Sequence, residues 1–386
     1  MKILFINVLC GTGSHGKIAA AQAEEFASQG HEVKIAYGRD SKFPERLKKF
    51  AVRIGSVPDM YGHALLTRLT DRNGFFSRHA TKKFLSWADK FDPDFLWLHN
   101  IHGYFINIEL LFNWIKARPK MKVFWTLHDC WSFTGHCAFF TAVGCEKWKT
   151  HCFDCPQKNN YPASFVDNSY KNFERKRNLF TGVKDMTLIT PSKWLAGLVA
   201  QSFLSEYPCE VRYNTINKNI FKPTPSDFRK RFKLENEKII LGVTNIWEPR
   251  KGLGDFIKLS EVLDPEKFAV ILVGFKPKEV RSLPEKIIDI PRTNSAEELA
   301  EIYTAADVLF NPTYEDNYPT VNLEAEACGT PVITYDTGGS PETVRLKNSR
   351  VIKCGDLEAA KNLILKGEIF YHDTRHKQFK NCKHKN

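Results

Sequence analysis

Lys2-Ile-Leu-Phe-Ile-Asn-Val8, followed by Gly11-Thr-Gly-Ser-His-Gly16, is the stretch on which the fold turns. The first run is continuously apolar and rich in branched side chains, the pattern of a buried strand. The glycines supply a tight turn, and a helical stretch runs on through Phe26. Gly30-His31 closes that helix, and Glu32-Val-Lys-Ile-Ala-Tyr37 reads as the next strand. Strand, helix and strand in this order make a βαβ unit with a parallel sheet.

The alternation resumes downstream. Phe95-Leu-Trp-Leu-His99, Val123-Phe-Trp-Thr-Leu-His128 and Met186-Thr-Leu-Ile-Thr190 read as further strands of the same series. A second series begins after Asn214-Thr-Ile-Asn217, with strands at 239–243, 269–273, 287–290, 308–310 and 331–334. The Pro-rich stretch 223–225 between the series is the linker candidate. A chain of 386 residues exceeds one ordinary domain. The expected fold is therefore α/β, with two Rossmann-like, doubly wound parallel-sheet domains. The first covers residues 1–215 and carries a Cys-rich insertion at 130–165; the second covers 216–370, and a basic tail occupies 371–386. Two such domains joined by one linker are expected to leave a cleft for a substrate.

Composition narrows the function. Hydrophobic residues at 42% and charged residues at 26% belong to a globular protein and exclude a fibre or a low-complexity chain. Lys and Arg outnumber Asp and Glu by 56 to 44, a net charge of +12 that favours partners carrying phosphate. The cations are scattered outside Arg375–Lys385, without a recognition helix or an aromatic RNA-binding pattern, so nucleic acid is not an expected partner. Asn7 interrupts the first apolar run and no small-residue cleavage site follows, which argues for a cytoplasmic protein with at most peripheral contact to an anionic membrane. The 10 cysteines then read as thiols or metal ligands rather than disulfides.

Candidate chemistry concentrates at strand ends, where open α/β sheets bind their ligands. Asn311-Pro-Thr-Tyr-Glu-Asp-Asn-Tyr-Pro-Thr-Val-Asn-Leu-Glu324 runs from a strand through an acidic loop into a helix opened by Pro319. Its carboxylates can accept hydroxyl hydrogen bonds, and the helix N-terminus can hold phosphate charge. A solvated acidic turn is the plain alternative. Asn245-Ile-Trp-Glu-Pro-Arg-Lys-Gly252 places Arg250 and Lys251 between a strand and a helix, where cations can neutralise a leaving diphosphate. His99, His102, His128 and Asp129 stand at neighbouring strand ends.

These motifs resemble glycosyltransferase family 4, whose members have the GT-B fold. The family's Glu-x7-Glu, Cys-Gly-x-Pro-Val and Gly-Gly-x-x-Glu elements are matched by Asp316-x7-Glu324, Cys328-Gly-Thr-Pro-Val332 and Gly338-Gly-Ser-Pro-Glu342. The resemblance implies a metal-independent hexosyltransferase that retains anomeric configuration and takes a nucleoside diphosphate sugar as donor, with no cofactor required. The acceptor it implies is a glycan or a polyprenyl-diphosphate-linked sugar of surface polysaccharide assembly. Glu324 would hold the donor ribose, Arg250 and Lys251 the diphosphate, and His128 a hydroxyl of the donor sugar. Gly13, Gly16, Gly338 and Gly339 would line the donor. Asp316 has the family spacing while Glu315 has the family's residue type, and either can contact the sugar.

Three other readings stay open. Gly11-x4-Gly16-Lys17 fits the start of a P-loop, although Ile18 stands where Ser or Thr should bind magnesium. Asp316 and Glu324 could be the acid pair of a glycoside hydrolase. Cys137, Cys145, Cys152 and Cys155, with His136 or His151 as substitutes, could close a structural zinc site in the insertion or belong to a zinc-dependent nucleic-acid binder.

Overall fold

The computed structural model describes residues 1–39, 43–275 and 283–370. The basic tail expected at 371–386 lies outside them. The chain forms two compact units that divide between Tyr213 and Asn214.

In the first unit, β1 (Lys2–Asn7), β2 (Glu32–Tyr37), β3 (Ala51–Arg53), β4 (Phe95–Leu98), β5 (Lys122–Thr126), β6 (Met186–Thr190) and β7 (Cys209–Val211) form one sheet. Its order is β3-β2-β1-β4-β5-β6-β7, with every neighbouring pair parallel. Six helices connect the strands: α1 (Gly13–Ser28), α2 (Val57–Thr70), α3 (Arg78–Phe91), α4 (Ile108–Lys116), α5 (Ser169–Phe180) and α6 (Lys193–Val199).

The alternation of β1 shows how the sheet is filled. Ile3 and Phe5 point to one face, where Ala20 and Ala23 of α1 pack with Val33 and Ile35. Leu4 and Ile6 point to the other, against Phe84, Leu85 and Ala88 of α3 and Leu111 and Phe112 of α4. A strand covered on both faces must be apolar throughout, which is why the run at 2–8 has no polar alternation. Each such buried Leu, Ile or Phe contributes roughly 1.5–3 kcal/mol.

The second unit repeats the plan. Helices α7 (Phe228–Phe232), α8 (Leu253–Val262), α9 (Ala296–Ala305), α10 (Thr320–Ala327) and α11 (Leu357–Leu365) surround β8 (Lys238–Val243), β9 (Phe268–Phe275), β10 (Ile287–Pro291), β11 (Val308–Asn311), β12 (Val332–Asp336) and β13 (Arg350–Lys353). The order β10-β9-β8-β11-β12-β13 is again wholly parallel. Phe256 and Leu259 of α8 and Ala360 and Ile364 of α11 cover one face, and Tyr303 of α9 and Ala325 of α10 cover the other.

In each sheet the winding reverses at the first strand, β1 or β8, whose two neighbours are reached in opposite directions. The carboxyl ends of β1 and β4, and of β8 and β11, are therefore the sites of ligand crevices in this class of sheet.

The stretch 223–225 belongs to the second unit. The Thr224 amide donates to Thr304 Oγ1 at 3.1 Å, and Phe221 is buried beside Tyr303. Its prolines stiffen a segment already packed onto α9, so they do not mark the division.

Candidate functional site

Two polar constellations stand at these reversal points. In the second unit, the loop after β8 ends in a tight turn at Pro249–Lys251, and Gly252 follows at φ 76°. A Cβ on Gly252 would come within 2.2 Å of the Pro312 carbonyl oxygen, so only glycine lets this loop press on the loop after β11. The two are then laced together. The Tyr314 amide donates to the Arg250 carbonyl at 2.8 Å, Arg250 Nη1 donates to the Glu315 carbonyl at 2.6 Å, and Lys251 Nζ meets the Asp316 carboxylate.

This separates the two neighbouring acids. The Glu315 side chain is wholly buried, whereas Asp316 keeps partial exposure and faces Lys251. Burial works against ionisation of Asp316, but the charges of Lys251 and Arg250 outweigh it and hold the carboxyl below its usual range.

Gly338 lies at φ 56°, and a Cβ there would sit 1.9 Å from the Asp316 carbonyl oxygen; the Gly339 amide donates to that same oxygen at 3.0 Å. Both glycines thus seat Asp316 through the backbone. Glu324, half-buried on α10, accepts from the Tyr303 hydroxyl at 3.0 Å. Asn322 fixes the same helix, accepting from Asn311 Nδ2 and donating to Thr343 Oγ1, both at 2.8 Å.

In the first unit the histidines cluster. His99 Nδ1 and His128 Nε2 are 3.0 Å apart, and His99 stacks between Phe5, Trp97 and His128. Burial holds His99 down at about 3, so it is neutral. Its buried Nε2 has no hydrogen-bond partner, and a proton there would be stranded. The proton therefore sits on Nδ1 and is donated to His128 Nε2, which leaves His128 protonated on Nδ1. His128 is likewise held well below the ordinary value, first by burial and then by His99 and His15.

Asp129 and His102 pair at 2.9 Å, and His102 Nδ1 lies 2.9 Å from the Tyr161 hydroxyl. Burial opposes the charge on Asp129, but His102 and the Trp131 amide prevail and its carboxyl is lowered. A pocket lined by His99, Asn100, His102, His128, Asp129 and Trp131 opens here. His15, Tyr161 and Tyr303 were not singled out in the sequence. Each reaches its site from another part of the chain; His15 lies within the Gly-rich stretch 11–17, and no local motif marks Tyr161 or Tyr303.

Two expectations are corrected. Helix α1 begins at Gly13, and the Gly11 amide bonds the Gly16 carbonyl at 3.1 Å. Gly16 and Lys17 are thus inside the helix, and Gly16 allows close packing on Leu9; too little loop remains to wrap a phosphate as a P-loop does. The zinc site is not assembled either. Among the described residues no group of three or more His, Cys, Asp or Glu is arranged to hold a metal ion. Cys137 and Cys152 are buried in one cluster with Phe133, Phe140 and Trp148. A hydrogen bond with Cys155 and then burial raise the Cys137 thiol, and burial pushes Cys152 up to about 12. The hydrogen bond from Cys137 brings Cys155 down to about 7.

Residues 224–383 match the family of glycosyl transferases group 1. That match lies within the second unit. The chain is 27% identical to the putative colanic acid biosynthesis glycosyl transferase WcaC of Escherichia coli K12, over 91% of this chain and 87% of that protein. Its fold is similar to sucrose-phosphate synthase from Thermosynechococcus elongatus, with a TM-score of 0.68 at 15% identity over 95% of this chain and 89% of the other. Anabaena HepE in complex with UDP-glucose gives 0.63 at 17% identity, over the same 95% and 89%. These likenesses establish the GT-B fold for this chain.

Proposed function

We propose that this glycosyltransferase moves a sugar from a nucleoside diphosphate sugar, with retention of configuration and without a catalytic metal, to a glycan or lipid-linked acceptor in surface polysaccharide assembly. The observation that carries the reading is the lacing of Arg250 and Lys251 to Glu315 and Asp316 at the winding reversal of the second sheet. UDP-glucose bound to HepE and the colanic acid role in the WcaC name support the donor and acceptor classes.

In this reading Glu324, oriented by Tyr303, accepts hydrogen bonds from the ribose hydroxyls. Arg250 and Lys251 face the diphosphate and stabilise the charge that grows on it as the glycosidic bond breaks, commonly worth several kcal/mol. The incoming diphosphate competes with Asp316 for Lys251, which turns Asp316 toward the sugar. Neutral His128 donates from Nδ1 to a sugar hydroxyl, and the His102–Asp129 pair lies in the pocket offered to the acceptor. A peripheral site at the inner face of a cytoplasmic membrane fits a lipid-linked acceptor.

A panel of UDP-, GDP- and ADP-sugars tests this by thermal shift and turnover. One nucleotide class should raise the melting temperature and be consumed, and Glu324→Ala should lose both responses while keeping the fold. Stabilisation of Glu324→Ala equal to that of the wild type would sink the donor assignment. Cleavage of simple glycosides without nucleotide would favour a hydrolase.

A further inference from the structure

The turn after β4 holds Tyr104 in a costly conformation. Gly103 lies at φ 111° and Tyr104 at φ 71°, two successive left-handed residues of which the second carries a bulky side chain. A Cβ on Gly103 would come within 2.5 Å of Val8 Cγ2, so the turn is pressed against the residue that follows β1. The result is a Tyr104 ring set at 69° to the ring of Tyr161, with centroids 6.1 Å apart.

Tyr161 comes from the Cys-rich insertion and is anchored by its tip. Its hydroxyl meets His102 Nδ1 at 2.9 Å, and His102 holds Asp129 through Nε2 at 2.9 Å, while 41% of Tyr161 stays exposed. The two tyrosines make an open aromatic corner beside the pocket of the first unit. That pocket also leaves Ser132 Oγ and Trp131 Nε1 buried with no hydrogen-bond partner among the described residues, two positions that the hydroxyls of a ligand can satisfy.

Arg39 adds charge to the corner. Its amide donates to the Val8 carbonyl at 3.0 Å, and its Cδ lies 3.7 Å from where a Cβ of Gly103 would stand, so the side chain runs along the turn that presents Tyr104. Its charge acts on His15, Tyr104 and Tyr161 alike, and that of Arg68 reaches Tyr104 as well. Arg39 is exposed, and among the described residues no carboxylate pairs with it; Asp129, the acid of the pocket, is engaged by His102 and the Trp131 amide.

We propose that this corner is a subsite for an acidic sugar of the acceptor glycan, a hexuronate whose ring stacks on Tyr161 against Tyr104 and whose carboxylate is gripped by Arg39. A pyranose offers a face of C–H bonds to an aromatic ring and hydroxyls at its rim, the combination that two tyrosines and a polar pocket accept. The planar guanidinium matches a carboxylate in two parallel hydrogen bonds. A neutral hexose leaves Arg39 without a partner, so the cation sets the specificity and the rings supply the platform. The subsite rests on the reading of this pocket as the acceptor's and narrows that acceptor to acidic glycans.

Saturation-transfer NMR of the full chain, without nucleotide, is the test, with methyl glucuronide, methyl glucoside and glucose 1-phosphate as probes. The glucuronide should bind at least about tenfold tighter than the glucoside, the gain from one charge-assisted pair. Arg39→Gln should bring the two sugars to equal affinity with an unchanged melting temperature, and Arg39→Lys, which keeps the charge but not the fork, should retain only part of the difference. A glucuronide that does not bind, equal affinities in the wild type, or a preference that survives Arg39→Gln overturns the proposal. So does glucose 1-phosphate binding as tightly as the glucuronide, which would make Arg39 a phosphate ligand. Because no donor enters the assay, a nucleotide panel without hits leaves this result intact, and an enzyme that consumes a donor but shows no preference for the glucuronide loses the subsite alone.

Discussion

Lys251 and Asp316 neutralise one another in the free protein, and that has different consequences for the two partners. Removing the cation in Lys251→Ala deprives a diphosphate of its counter-charge, and kcat/KM should fall about 10²–10³-fold, measured with the donor found in the panel. Asp316→Asn removes a competitor for that cation. Its affinity for the nucleoside diphosphate in calorimetry should be unchanged or tighter while turnover falls. A parallel loss of affinity in both variants would refute the competition. Gly338 is constrained twice, by φ 56° and by the Asp316 carbonyl, so Gly338→Ala should cost about 2–4 kcal/mol in chemical denaturation. Spacing favoured Asp316 and residue type favoured Glu315, so the sequence left the choice open. They differ because one side chain is enclosed and the other faces Lys251, a distinction that arises only when two loops meet.

Central strands were legible because burial on both faces demands unbroken apolar runs; β2 and β6 match their expected bounds. The short strands Ala51–Arg53, Cys209–Val211 and Arg350–Lys353 were not, since each is a sheet edge with exposed residues and no apolar run. Another silent feature is Lys176 of α5, buried and donating to the carbonyls of Trp131 at 2.7 Å and Thr134 at 3.0 Å, with its ammonium over the Trp131 ring. Burial brings it down to about 7. It ties α5 to the turn that also carries Asp129. Lys176→Met strands two carbonyls and should cost about 2–3 kcal/mol by urea denaturation. Turnover should fall with it as the Asp129 turn loosens.

On the scale of the whole molecule, every histidine between residues 1 and 370 lies in the first unit. Burial lowers His15 to about 4 and His63 and His99 to about 3, and His128 falls well below its ordinary value. Between these values and 6.5 the unfolded chain binds more protons than the folded one, so stability is present above pH 6.5 and is lost as pH falls below it. His136 runs the other way: burial lowers it, but the hydrogen bond and charge of Asp71 raise it above the usual value, and it offsets only part of the loss. Acidification from pH 7 to 5 should therefore lower the melting of the first unit by several degrees and leave the second nearly unmoved, as hydrogen exchange by unit would report. Conversely, a nucleoside diphosphate at about 100 times its Kd should stabilise the second unit by about 2.7 kcal/mol.

The residue order determined the two parallel sheets, the winding that brings β8 beside β11, and the acids and cations offered at their ends, because apolar runs, turns and short-range spacing are local properties of a chain. The tertiary structure alone decided which acid meets Lys251, that Cys137 and Cys152 are enclosed in an aromatic cluster, that His15, Tyr161 and Tyr303 join the sites, and that α2 turns its leucines outward. Those outcomes depend on burial and on contacts between segments far apart in sequence, where desolvation and partner geometry set the chemistry of a side chain.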